Sequence, residues 1–263
     1  MSADLSDISV LVLAGERAGP NPLLQAEAVA SKAEIEINGQ PMLNHVLTAI
    51  RASGLAHPLY IAGVHQMTRE RLFADGAGGE IEYLPAAMGP AATVLGSLDA
   101  IAHFPVLVTT CDHPLLTRDM IEDFAKASLT SGADLTIGLA DKGTIEAAYP
   151  AASRTYFPIG GRKVSGCNLF LATSPAAIKA IRFWTEAEAD RKHPARIARR
   201  FGIFNALRAL RPGVSLEGVF RILSGRLGCI VRPVLMKQAE AAIDVDKPED
   251  LALVRQIMSR ELA

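Results

Sequence analysis

The chain alternates short, nearly continuous apolar runs with longer stretches of helical periodicity. Ile8-Ser-Val-Leu-Val-Leu-Ala14 is rich in branched side chains and runs into Gly15, the pattern of a strand buried on both faces. Residues 16–33 carry Gly19, Pro20 and Pro22 and read as a loop with a short helical part. Pro41–Arg51 has apolar residues at helical spacing, with proline at its start and Gly54 as its stop signal. The same reasoning predicts strands at 59–63, 81–85, 105–111 and 134–140, and helices at 68–73, 91–102 and 118–128. This alternation predicts an α/β fold: a mostly parallel open sheet with helices on both faces. The rhythm weakens after residue 140. A loop or short hairpin is expected at 156–163, a strand within 165–172, a helix at 175–184, a strand at 229–234 and an amphipathic helix at 248–258. No stretch is long or polar enough to act as a linker, so one domain over 1–263 is expected, with 185–228 as a helical basic insertion.

Composition narrows the partners. Hydrophobic residues make up 49%, charged residues 21%, and the formal net charge is −1. Nothing global attracts nucleic acid or a membrane surface, so any recognition of an anion must be local. Cys111, Cys167 and Cys229 are scattered and form no C-x-x-C pair, which argues against a disulfide framework or a zinc cluster and fits a reducing cytoplasm. Met1–Asp7 has no basic stretch of the signal-peptide kind, and no apolar run approaches the length of a membrane span. A cytoplasmic protein without a transmembrane segment is expected.

Three segments carry candidate chemistry. In the first, Leu13, Ala14 and Gly15 close a strand, and Arg17, Gly19 and Lys32 follow. A glycine after a strand lets backbone N–H groups approach phosphate oxygens, and Arg17 and Lys32 would neutralise a triphosphate. A plain turn with solvated charges is the alternative. The loop is neither G-x-x-x-x-G-K-[ST] nor G-x-G-x-x-G, which argues against a P-loop ATPase and a Rossmann dehydrogenase. In the second, Asp112 follows an apolar strand and so stands at the edge where open α/β sheets place ligands; it would suit Mg²⁺. A cap for the helix near Arg118 is the alternative. In the third, Ala242-Ile-Asp-Val-Asp-Lys-Pro-Glu-Asp-Leu251, an extended backbone would turn Asp244 and Asp246 to one side. Asp246 is the expected metal ligand, and Pro248, Glu249 and Asp250 read as helix-start chemistry.

Leu13-Ala-Gly15 with Arg17, Gly19 and Lys32, then Asn38-Gly-Gln-Pro-Met-Leu43, resembles the N-terminal signature of the MobA-like nucleotidyltransferases, which have a GT-A-like fold. Gly89-Pro90-Ala91-Ala92 resembles their nucleobase-side segment. Thr110-Cys-Asp-His-Pro-Leu115 resembles their metal-binding segment, and Asp244-Val-Asp-Lys-Pro-Glu-Asp-Leu251 their C-terminal one. The resemblance implies that Arg17 and Lys32 hold a triphosphate and act in catalysis. It implies that Leu13, Ala14, Gly15, Gly89 and Pro90 bind the nucleotide and that Asp112 and Asp246 hold Mg²⁺. Gly166 and Asn168, in Ser165-Gly-Cys-Asn-Leu169, resemble an acceptor-binding segment; a turn glycine and an ordinary strand residue are the alternative. The implied reaction moves an NMP unit from an NTP, CTP ahead of GTP, to a phosphorylated small molecule.

There are departures from the family pattern. Glu16 stands where a second glycine is usual, the gap from Gly19 to Lys32 is long, and Cys111 replaces a glycine. A carboxylate beside a phosphate site would weaken NTP binding unless Arg17 pairs with it, which keeps open a nucleotide-binding regulatory protein without turnover. A GT-A-type glycosyltransferase is the other alternative, though only Asp112 stands where that class has an aspartate-x-aspartate. Residues 191–211 hold Arg191, Lys192, His193, Arg196, Arg199, Arg200, Arg208 and Arg211, a cluster suited to an anionic acceptor or a phospholipid-like head group, with a solvated helical face as the alternative.

Overall fold

The computed structural model describes residues 5–16, 19–55, 58–74, 80–189, 211 and 213–260. Its elements, in chain order, begin with β1 (Ser9–Leu13), α1 (Pro22–Glu27) and a 3₁₀ turn (Lys32–Glu34). A hairpin of β2 (Glu36–Ile37) and β3 (Gln40–Pro41) leads into α2 (Met42–Ala52). Then come β4 (Leu59–Ala62), α3 (Gln66–Leu72), β5 (Ile81–Leu84), α4 (Pro90–Ile101), β6 (Val106–Thr110) and α5 (Arg118–Thr130). The later part holds β7 (Leu135–Asp141), α6 (Lys142–Ala148), β8 (Phe157–Ile159), β9 (Arg162–Ala172), α7 (Ala177–Ala189), α8 (Leu216–Leu227), β10 (Val231–Met236), a second 3₁₀ turn (Ala239–Ala242) and α9 (Pro248–Arg260).

The main sheet runs β10-β7-β9-β6-β1-β4-β5, with β8 paired to β9. β1 lies parallel between β4 and β6, β4 is parallel to β5, and β7 to β10. β9 is antiparallel to both its neighbours, so the expected parallel sheet is interrupted by one reversed strand. The reversal follows from the β8–β9 hairpin: Gly160 and Gly161 both have positive φ (59° and 75°), as a two-residue turn that sends the chain straight back requires.

The strand β1 is apolar but for Ser9 because both its faces are covered. Val10 and Val12 pack with Leu43, Val46, Leu47 and Ile50 of α2 and with Ile121 and Phe124 of α5. Leu11 packs on the opposite face with Leu98 and Ile101 of α4, Ile181 of α7 and Phe220 of α8. Each such buried side chain contributes about 1.5–3 kcal/mol relative to exposure. Helix α2 ends where the reading placed its stop: Gly54 takes φ 72° just past the last turn.

A third, smaller core matters most for the site. Leu23, Ile35, Ile37, Met42 and Leu115 pack against Ile243, Val245, Leu251, Val254 and Ile257. It joins the segment around Lys32, the segment after Asp112 and the C-terminal helix, three regions far apart in sequence. The Val245 N–H donates to the Asp112 carbonyl at 2.8 Å, which stitches two of them directly. Residues 190–210, with all the basic cluster except Arg211, lie outside the described residues. Of the segment 185–228, residues 185–189 are the end of α7 and 216–227 are α8.

Candidate functional site

The chain leaves β1 for β4 and β5 on one side and returns to β6 on the other. A crevice beyond the carboxyl ends of β1 and β6 is where such a reversal of strand order opens a ligand site. Leu13, Ala14 and Gly15 stand at that edge. Leu13 is in register with Ala62 and Thr110, the Ala14 N–H donates to the Ala62 carbonyl at 2.8 Å, and the Cys111 N–H donates to the Leu13 carbonyl at 2.9 Å. Gly63, with φ 87°, lets the first loop sit close, since a Cβ there would fall 2.7 Å from the Gly15 Cα. Arg17 lies outside the described residues.

Asp112 comes two residues after the last residue of β6 and does not cap α5; Thr117 does, its hydroxyl accepting the Met120 N–H. Instead the Asp112 Oδ2 accepts the Lys32 ammonium at 2.8 Å, and the same Nζ donates to Asp246 Oδ1 at 2.5 Å. Lys32, Asp112 and Asp246, separated by 80 and 214 positions from the lysine, therefore meet at one point. The Lys32 and Asp112 side chains are 14% and 15% exposed, whereas Asp246 is 60% exposed, so the cluster opens on the Asp246 side. Burial works to lower the Lys32 pKa, but the charges of Asp112 and Asp246 outweigh it and hold the ammonium protonated beyond its usual range.

Asp246 is presented by a built support. The Asp250 carboxylate accepts the Asp246 and Lys247 N–H groups at 3.1 and 3.0 Å, the helix-start role expected for it. Asp244 and Asp246 flank the buried Val245, as the period of two requires. Asp244 faces the Arg154 guanidinium, which also donates to the Asp244 carbonyl at 3.2 Å and lies 3.8 Å from Asp250. Burial, then the Asp112 charge, pushes the Asp244 pKa up to about 6, with Arg154 pulling the other way.

Asn168 adds to this support. It occupies an irregularity where the β7–β9 register shifts, with φ 50°, and its amide donates to Asp244 Oδ2 at 2.7 Å. Such a bulge re-aims a side chain out of the regular alternation. Gly166 sits nearby, opposite Leu139. Gly89 and Pro90 open α4, where Glu188 of α7 accepts the Ala91 N–H at 3.3 Å. Arg154 and Glu188 escaped the sequence reading because each acquires its role only through a partner about 90 or more residues away.

A divalent cation can be tested against these residues. Asp112 Oδ1 is buried and has no hydrogen-bond partner, while its other oxygen already faces a cation, the Lys32 ammonium. An orphaned carboxylate oxygen beside an attracted positive charge fits a hard divalent ion, and Mg²⁺ is commonly held by one or two carboxylates together with phosphate oxygens. Among the described residues no group of three His, Cys, Asp or Glu side chains forms a preassembled metal cage.

The family model of the MobA-like NTP transferase domain matches residues 10–226. A molybdenum cofactor guanylyltransferase of Pseudomonas putida is 31% identical over 127 residues, which are 48% of this chain and 61% of that protein. The likeness thus spans less than two thirds of that relative. A hypothetical transferase from Thermus thermophilus superposes with a TM-score of 0.77 at 28% identity, covering 92% of this chain and 98% of the other. A CMP:2-keto-3-deoxy-manno-octonic acid synthetase complexed with CTP has the same fold, with a TM-score of 0.58 at 13% identity over 97% and 98% of the two chains.

Proposed function

The chain belongs to the MobA-like NTP transferase family, and on that premise we propose that it transfers an NMP unit from an NTP to a phosphorylated small molecule with release of pyrophosphate. The observation that carries the reading is the convergence of Lys32, Asp112 and Asp246 at the carboxyl edge of β1 and β6.

In the proposed reaction an acceptor phosphate oxygen attacks the α-phosphorus in line. A new P–O bond forms, the bond from the α-phosphorus to the β-phosphate's bridging oxygen breaks, and pyrophosphate departs with that electron pair. The acceptor is already anionic, so no general base is required, and catalysis rests on positioning and neutralisation of charge. Lys32 supplies a permanent positive charge at the triphosphate, and Arg17 is proposed as its companion. Leu13, Ala14 and Gly15 offer backbone groups to the phosphates, and Gly89 with Pro90 borders the base. Asp112 and Asp246 would hold Mg²⁺, which when bound neutralises phosphate charge. Gly166 and Asn168 are proposed to border the acceptor, the Asn168 amide nitrogen being committed to Asp244. A cytoplasmic enzyme is the matching proposal for location, in keeping with the lack of any helix long and apolar enough to cross a membrane among the described residues.

Two donors compete. The sequence resemblance favours CTP, and the guanylyltransferase relatives favour GTP. The test is pyrophosphate release with CTP, GTP, ATP and UTP against sugar phosphates, an alcohol phosphate and molybdopterin, with and without Mg²⁺. Wild-type protein is expected to turn over one donor in a Mg²⁺-dependent way. Asp112→Asn, which keeps the side-chain shape and an acceptor oxygen for Lys32, is expected to lose at least 100-fold in kcat while staying folded in the assay, at a cost of about 2–4 kcal/mol from the lost charge pair. Equal activity in the Asn variant would remove the metal role from Asp112.

A further inference from the structure

We infer that Glu16 is a positioning residue for Lys32, acting by hydrogen bonds to the backbone of the Lys32 turn; the inference rests on the nucleotide role proposed for that lysine. Glu16 follows Gly15 directly. Its Oε1 accepts the Lys32 N–H at 2.7 Å and the Ser31 hydroxyl at 3.1 Å. The same Ser31 oxygen accepts the Ala33 N–H at 3.2 Å. Ser31 is buried and Glu16 half-buried, so this small network is partly shielded from water.

The physical need is plain. The first N–H groups of any helical turn lack partners within the turn. In the Lys32–Glu34 turn, Glu16 takes the first and Ser31 the second. A charged acceptor makes the stronger kind of hydrogen bond. The Lys32 Cα is thereby tied to the phosphate-facing loop, while the side chain beyond it spans to Asp112 and Asp246. The carboxylate that looked hostile to a triphosphate is turned toward N–H and O–H donors. Ala14, Gly15 and Lys32, one strand end and one turn 16 residues apart from Glu16 to Lys32, become a single rigid unit.

Removing the side chain frees the Lys32 backbone without touching the ammonium, the two aspartates or the third core. The residue should therefore be replaceable by glutamine, which keeps an Oε1 acceptor, but not by alanine. It should also matter only as long as position 32 carries the lysine.

The experiment is calorimetric titration of the Mg²⁺ complexes of CTP, GTP, ATP and UTP into wild type, and of the nucleotide it prefers into Glu16→Ala, Glu16→Gln, Lys32→Met and the Glu16→Ala/Lys32→Met double variant, so no acceptor is needed. Glu16→Ala is expected to weaken binding of the preferred nucleotide about 10-fold or more. Glu16→Gln is expected to recover it to within about three-fold of wild type, and the double variant to bind no more weakly than Lys32→Met alone, the signature of two residues acting through one contact. Alanine binding like wild type, glutamine as damaged as alanine, or a full additional loss in the double variant would each overturn the inference. Failure of wild type to bind any of CTP, GTP, ATP and UTP overturns the transferase reading instead. The Glu16 contact is then read from hydrogen exchange at the Lys32 amide, expected to speed up at least 10-fold in Glu16→Ala; unchanged exchange refutes it.

Discussion

Lys32→Met replaces an ammonium that two carboxylates share with an apolar side chain of similar length, and its cost can be worked from the geometry. Two unit charges about 4 Å apart at an effective dielectric near 20 attract by about 4 kcal/mol. The Asp112 pair is shielded, with both side chains about 15% exposed, and keeps much of that figure after desolvation is subtracted. The Asp246 pair is 60% exposed on the acid side, so water and salt reduce it to about 1 kcal/mol or less. Loss of one partner of a buried pair leaves an uncompensated charge, and a net destabilisation of about 2–4 kcal/mol is expected. The same change leaves Asp112 with both oxygens unpartnered, Oδ1 being an orphan already, and so uncovers a site for a divalent ion. A Kd of about 10 μM for Mn²⁺ would return about 2.7 kcal/mol at 1 mM ion. Wild type, whose carboxylates are already engaged by Lys32, should gain under about 0.5 kcal/mol in the free state, so that metal enters chiefly with its nucleotide. Urea unfolding in 1 mM Mn²⁺ and in EDTA reads both numbers. Equal stabilisation of wild type and Lys32→Met would refute the idea that the ammonium and a divalent ion compete for one pair of carboxylates. So would a response that survives the further change Asp112→Asn.

Three further outcomes are expected. His113 is fully buried, and burial lowers its pKa to about 4, against 6.5 for the ordinary imidazole. The fold thus favours the neutral ring, and stability present above pH 6.5 is lost as the pH falls toward 4, by about 3 kcal/mol in all. NMR should find the His113 ring still neutral at pH 5, and a ring half-protonated at pH 6.5 would contradict the burial argument. Gly63→Ala places a Cβ 2.7 Å from the Gly15 Cα at a φ of 87°; a loss of about 2 kcal/mol or more in unfolding free energy and weaker nucleotide binding are expected, and wild-type values for both would deny the close approach any role. Arg154→Met strands Asp244 and should cost about 3–5 kcal/mol in urea unfolding, whereas a loss under about 1 kcal/mol would mean that the loop bearing Asp246 needs no such support.

Much of the fold was legible because its strands are buried on both faces. β1, β4 and β6 read as mostly apolar runs, and α2, α4 and α5 as helices with proper starts and stops, since burial imposes those patterns locally. Harder to see was the direction of β9. Its residues alternate no differently from those of a parallel strand, and only the Gly160-Gly161 turn distinguishes the two. Nothing in the composition of Lys142–Ala148 or of the two-residue strands β2 and β3 lifts them above loop, because elements that short take their stability from what they pack on.

The site divides along the same line. Asp112 could be placed at a ligand edge because the strand before it was plain, and Asp246 could be paired with it through order and resemblance. What local pattern could not supply was the third core, in which Val245 and Ile243 pack against Ile35 and Leu115. That core fixes the distance between carboxylates 134 positions apart (112 and 246), and it does so with apolar residues that carry no chemistry. Glu16 is the sharpest case. Read along the sequence, it is a charge of the wrong sign beside a phosphate site; folded, its carboxylate meets the Lys32 N–H and the Ser31 hydroxyl. The sign of a side chain's effect depends on which donors the fold turns toward it, and a departure from a family pattern becomes informative only when its partners are known. A family member with glycine at this position must satisfy the same turn N–H by other means, and substituting Glu16→Gly here, with no such partner supplied, should behave like Glu16→Ala rather than like an improvement.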